Sequence, residues 1–136
     1  MTTEILDSLA GLPYYASYFG IAVVLLTLGL AAYGAVAPYA EFRRAREGNA
    51  AAAATLAGVV LGFALPLARV VAQSASLLDM LLWSVIALAV QLGAFVIVRT
   101  MVPALGRNVE AGEVASGVLL AAIAVALGLV NAASIG

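Results

Sequence analysis

The residues able to do chemistry in this 136-residue chain are few, and they stand mostly at the edges of apolar stretches. Arg69 and Asp79 flank a short polar break in GFALPLARVVAQSASLLDML, residues 62–81. They fit a clamp or functional pair across a turn between two helices. They also fit two separate roles, with Arg69 closing one helix and Asp79 joining Ser76 in a capping box that opens the next. Gln91 falls near the middle of an apolar interval, where an amide either bonds a neighbouring helix or lines a polar path. Asn131 is its counterpart near the end of the last interval. Glu47, Gly48 and Asn49 precede one interval and Glu113 another. These read first as helix N-caps, and second as functional groups on one face of a membrane.

What is missing bounds the chemistry further. The sequence has no Cys, His or Lys. That removes thiolate and disulfide chemistry, the usual general base at neutral pH, the commonest metal ligand and the Schiff-base amine. No paired carboxylates stand out, so no catalytic, metal or cofactor site is predicted, and the expectation is a protein that is not an enzyme. A net charge of −1 also argues against nucleic acid, which calls for a basic face.

The elements that must position these groups follow from composition. Hydrophobic residues make up 65% and charged residues 10% of the chain, too little polar surface to cover a soluble core. Uncharged intervals run from Asp7 to Glu41, Glu47 to Arg69, Asp79 to Arg99, and from Glu113 to the end. Each can hold the roughly 20 residues that cross the hydrocarbon core. Four transmembrane helices are predicted, at about 15–37, 49–72, 78–100 and 112–134. The opening MTTEILDSL is acidic, unlike the basic start of a secretory signal, so the first span is expected to remain as an anchor.

Arginines set the expected orientation. Arg43, Arg44 and Arg46 lie between the first two spans, and Arg99 and Arg107 between the last two. Positive loops stay in the cytoplasm, so segments 38–48 and 101–111 are expected there and both termini in the periplasm. Tyr14, Tyr15, Tyr18 and Trp83 are expected at the outer interface, with Tyr39 and Phe42 at the inner one. Carboxylates opening the spans and arginines closing them also suit the helix dipole.

The chain resembles itself. GNAAAAATLAGVVLGFALPLA (48–68) lies over GEVASGVLLAAIAVALGLVNA (112–132), with Gly48 against Gly112, and upstream Pro38 matches Pro103 and Arg43 matches Arg107. Each unit, 1–75 and 76–136, would hold two spans and enter from the same side. The predicted fold is therefore all-α: four transmembrane helices from two parallel two-helix repeats, related by a pseudo-two-fold axis along the membrane normal. Ala50, Ala54, Gly58 and Gly62 recur every four residues on the second span, and Ala124, Gly128 and Ala132 on the fourth. Small residues at that spacing let helix backbones approach closely, whether within one chain or between two. Pro66 removes a backbone bond from the second span and is a candidate kink.

The segments REGNAAAAATLAGVVLGFALPLA, SLLDMLLW and EAGEVASGVLLAAIAVALGLVNAA resemble the YjfL-like family of bacterial inner-membrane proteins, also called domain of unknown function 350. The resemblance covers nearly the whole chain. It implies a four-helix inner-membrane protein and, by association with phage-shock-type and ATP-grasp proteins, a link to envelope stress with membrane-stress proteins as partners. It supplies no activity. Two functions are carried forward. The first is a non-catalytic membrane component that self-associates into a homo-oligomer or binds partners, its arginine loops meeting lipid headgroups. The second is a small oligomeric channel or transporter built around Gln91, Arg69 and Asp79.

Overall fold

The computed structural model describes residues 1–37 and 41–136. Tyr39 at the inner interface and the Pro38–Pro103 match lie outside the described residues. The described residues form seven helices: α1 (Thr2–Leu9), α2 (Leu12–Val36), α3 (Glu41–Arg46), α4 (Ala50–Gln73), α5 (Leu77–Met101), α6 (Pro103–Glu110) and α7 (Val114–Ser134). Four stretches are long and apolar enough to cross a membrane: Thr2–Val36, Ala50–Gln73, Leu77–Met101 and Val114–Ser134. The bounds of the last three lie within a few residues of the predicted spans, whereas the first begins at Thr2, well before the predicted start near residue 15. α1 continues the first span outward, and the segments expected as plain loops each carry a short helix, α3 and α6.

Local chemistry explains the boundaries. Asn49 caps α4 by accepting the Ala52 N–H at 3.1 Å, and Ser76 caps α5 by accepting the Asp79 N–H at 3.1 Å. Gly48 and Gly112 carry φ of 93° and 91° and end α3 and α6, a conformation that costs glycine little. The hydrogen bonds around the two turns match. Gly48 N–H reaches Ala45 O and Asn49 N–H reaches Arg44 O; Gly112 N–H reaches Val109 O and Glu113 N–H reaches Asn108 O. α4 stays one helix through the buried Pro66.

The core is built on α4. Ten of its residues are buried, from Ala51 to Val70. α7 runs beside it in the same direction, with Gly117 against Ala51 near the start, Gly58 against Ala121, and Gly128 against Gly62 further along. A Cβ on Gly58 would fall 2.3 Å from the Ala121 Cα, and one on Gly128 would fall 2.5 Å from the Gly62 carbonyl oxygen. The two backbones therefore touch, and dispersion between them replaces the hydrophobic drive that lipid removes. The seam predicted from Gly58, Gly62 and Gly128 is internal to the chain. Ala54 lies at its outer edge, in a shallow apolar groove. Gly117, at a contact nearly as close as that of Gly58, was absent from the expected strip. α5 packs across α4 and α7, while α2 leans on α4 and α5 through Tyr18, Leu25 and Tyr33.

Candidate functional site: a buried tyrosine–glutamate–arginine cluster

At the arginine-rich end of the bundle, three polar side chains from three helices meet out of solvent. Tyr33 comes from the last turns of α2, Glu41 opens α3, and Arg99 lies in the last turn of α5. Their exposures are 1%, 1% and 8%, which marks all three as interior groups rather than interface charges. The Tyr33 hydroxyl donates to Glu41 Oε2. Arg99 Nη1 forms an ion pair with Glu41 Oε1 and donates to the Tyr33 hydroxyl oxygen at 2.6 Å. Aromatic rings wall the cluster. Phe95 lies 5.8 Å from the Arg99 Cζ, and the Tyr33 ring packs against Phe42, Phe63 and Phe95. The guanidinium over the Phe95 face adds a cation–π contact in a place where water cannot compete.

A buried ion pair recovers its desolvation cost only when further hydrogen bonds complete it. Tyr33 supplies one here, so the three groups work as a unit. Glu41 was read from sequence only as the end of an uncharged interval, and Arg99 as a helix-closing cation in a cytoplasmic loop. Arg99 does close α5 and Glu41 does end that interval, but the structure adds what the sequence missed: each is a buried partner of the other. One signal was available. A carboxylate just past the C-terminal end of a span opposes the helix dipole and needs a partner elsewhere.

A second set of ties lies beside the cluster. Arg44 Nη2 pairs with Glu110 Oε1 at 2.8 Å, and Asn49 Nδ2 donates to the Val109 carbonyl at 3.0 Å. Asn49 therefore caps α4 with its oxygen and holds α6 with its nitrogen. Glu47 pairs with Arg43 on the surface at 3.9 Å. Glu113 occupies the N-cap of α7, as expected, but its side chain makes no capping hydrogen bond. The longer glutamate is a poorer N-cap than asparagine, and only the backbone geometry is retained.

Deeper in the bundle, Gln91 is buried and donates from Nε2 to the Ala124 carbonyl at 3.0 Å. Asn131 Nδ2 donates to the Ala87 carbonyl at 2.9 Å. Both amides thus fasten α5 to α7, the first of the two readings given for Gln91. At the opposite end Asp79 accepts the Ala75 N–H at 3.1 Å while its own N–H donates to Ser76, which is the capping alternative. Arg69 Nε donates to the Ile135 carbonyl at 3.3 Å. Among the described residues no ion pair joins Arg69 to Asp79.

Four long apolar helices, a glycine-packed interior and polar groups turned inward define an integral, multi-pass membrane protein. Residues 7–135 match the family described as Domain of Unknown Function (DUF350), and the chain belongs to that family. It is 33% identical over 130 residues to the UPF0719 inner membrane protein YjfL of Escherichia coli (strain K12), covering 96% of each chain. It is 30% identical over 122 residues to the UPF0719 transmembrane protein YshE of Bacillus subtilis (strain 168), covering 88% of this chain and 91% of that one. No solved structure matches it. The protein is an inner-membrane protein of a family without an assigned function.

Proposed function

We propose that this protein is a non-catalytic membrane component that works by associating through α2, with a second copy of itself or with a membrane partner of the envelope-stress kind. One observation carries the reading. Only Tyr18, Leu25 and Tyr33 are buried along the 25 residues of α2, whereas α4 buries ten side chains in 24. The outward face of α2 bears Thr27, Ala31 and Ala35, exposed and four residues apart, the spacing that lets a second helix approach.

The architecture proposed for it is two parallel two-helix units with the arginine-bearing turns in the cytoplasm and both termini in the periplasm. The matched turns at Gly48 and Gly112 and the shared direction of α4 and α7 support the two-unit reading. The arginine distribution supports the orientation. The channel reading has less behind it. Gln91 and Asn131 are engaged with backbone carbonyls, and the α4–α7 seam is packed backbone on backbone.

The natural chain has no cysteine, which makes the test direct. A single cysteine at Ala31 in native membranes should give a crosslinked dimer or a crosslinked partner, and one at Leu25 should not. Equal crosslinking at the two positions, or none at either, would retire the proposal.

A further inference from the structure

Among the described residues α1 stands apart from the bundle. None of its eight residues is buried, and the first buried side chain in the sequence is Tyr18. The segment TTEILDSL is nonetheless two-sided. At about 100° per residue, Ile5, Leu6 and Leu9 fall within roughly 100° of arc, and Glu4 and Asp7 lie on the opposite side. The three aliphatic residues are 53%, 61% and 54% exposed. We propose that α1 is an interfacial helix that lies along the lipid surface, with Ile5, Leu6 and Leu9 sunk between headgroups and upper acyl chains and Glu4 and Asp7 turned to water.

Length is the first argument. Thr2–Val36 holds 35 residues, about 52 Å of helix. The hydrocarbon layer is about 30 Å thick, and the 25 residues of α2 already cover it. Fitting both helices into the layer as one rod would take a tilt of about 55°, beyond the roughly 40° that spanning helices reach, and would carry Glu4 and Asp7 into hydrocarbon. Depth is the second argument. Tyr14 and Tyr15 are exposed in the first turn of α2, and amphipathic rings mark the headgroup level. α1 therefore departs from the surface itself. The joint is the third. Pro13 has no N–H to give and its ring crowds the Leu9 carbonyl, so the helical ladder breaks between α1 and α2. Gly11 N–H bonds Ser8 O at 3.3 Å, and Tyr15 N–H returns to Gly11 O at 3.0 Å as α2 begins. A Cβ at Gly11 would meet only that Ser8 oxygen, at 3.6 Å, so nothing packed around the joint stops α1 from turning into the membrane plane.

Lipid fits this stripe better than a protein does. Three aliphatic side chains offer a small part of the roughly 800 Å² that each partner buries in a stable protein interface. The same apolar exposure carries on through Leu12 and Phe19 of α2 into the bilayer. α1 and α2 contain no Lys or Arg, so the attachment is apolar burial and calls for no anionic lipid. The proposal does not depend on association through α2.

The test uses the full chain in phosphatidylcholine nanodiscs, with a nitroxide on single cysteines that replace each residue from Thr3 to Leu9 and, as a reference, Leu28 of α2. Collision with oxygen, which concentrates in lipid, is compared with collision with a water-soluble nickel chelate. Labels at Ile5, Leu6 and Leu9 should lie about 5–10 Å into the boundary between headgroups and acyl chains, while those at Glu4 and Asp7 meet the chelate. Ile5→Gln with Leu9→Gln should lift a label at Leu6 into water and leave the depth of one at Leu28 unchanged. Phosphatidylglycerol added to the nanodisc should deepen none of them. Water access that rises steadily from Leu9 to Thr3 would mean a rod standing clear of the membrane and would overturn the proposal. So would shielding of Ile5, Leu6 and Leu9 from both probes, which would put a protein on the stripe. A depth that appears only with phosphatidylglycerol, or a Leu6 label that stays deep in the double variant, would overturn it as well.

Discussion

α4 and α2 are both apolar helices of about the same length, yet they are held in opposite ways. α4 is gripped along its whole length by α7, with glycines bringing the two backbones into contact and Thr55 donating to the carbonyls of Ala51 and Gly117. α2 is held by a narrow stripe. Gly29 sits against Phe63 and Leu88, and at its end Tyr33 is fastened by Glu41 and Arg99. Among these contacts one helix is secured by close fit and the other by a few polar ties. In lipid, where burial against a neighbour gains little over burial in acyl chains, those two modes should respond differently to substitution.

The cluster should be the most sensitive point. Arg99→Leu leaves Glu41 buried without its cation and is expected to cost about 3–5 kcal/mol, measured by reversible unfolding in mixed micelles. The double change Glu41→Leu with Arg99→Leu should recover much of that loss, and a double variant as unstable as the single one would refute the account of a matched pair. Next comes the seam. Gly58→Val meets the Ala121 backbone and should cost about 1–3 kcal/mol, with the loss falling on α4–α7 packing. A cysteine pair at Ala51 and Ser116, across the seam, would report any loosening as slower disulfide formation. Asn49→Ala should cost about 1 kcal/mol as a lost cap, and more if the tie to Val109 contributes; Asn49→Asp, which keeps the cap alone, separates the two. Gln91→Leu should cost about 0.6 kcal/mol, the mean for an interhelical hydrogen bond in a membrane protein. Leu28→Ala on the outward face of α2 should leave the stability of the isolated chain unchanged. A large effect there in detergent would mean that α2 is packed more tightly than its exposure indicates.

The spans were legible because a 30 Å hydrocarbon layer demands a length and a composition that any reader can count. The glycine seam was legible because spacing by four places residues on one helix face. Gly117 escaped because it lies about two turns before the strip of Ala124, Gly128 and Ala132 read on that helix, and closeness there is a property of two helices together. The loop helices escaped because α3 and α6 are too short to show a period. The cluster was the hardest to see: Tyr33 and Arg99 lie 66 residues apart, and no local pattern couples them. Charge at the ends of spans looks alike whether it faces water or a partner. Of the candidate residues singled out from sequence, Asn49, Gln91 and Asn131 tie helices together, Asp79 caps, and Arg69, Glu47 and Glu113 lie on the surface.

The cluster also bears on how the chain is assembled. Tyr33 leaves the ribosome 66 residues ahead of the arginine that fastens it. Until α5 has been inserted, the carboxylate of Glu41 is without its counter-ion, and α3 rests only on the Tyr33 hydroxyl and its packing against α4. The first hairpin should therefore stay labile at its arginine-bearing turn through most of synthesis and close late. A chain stopped at residue 98 should leave a cysteine placed at Ala45, which packs against the core in the finished bundle, open to a water-soluble maleimide, and the finished chain should shield it. Equal labelling of the two would mean that the turn closes without the arginine.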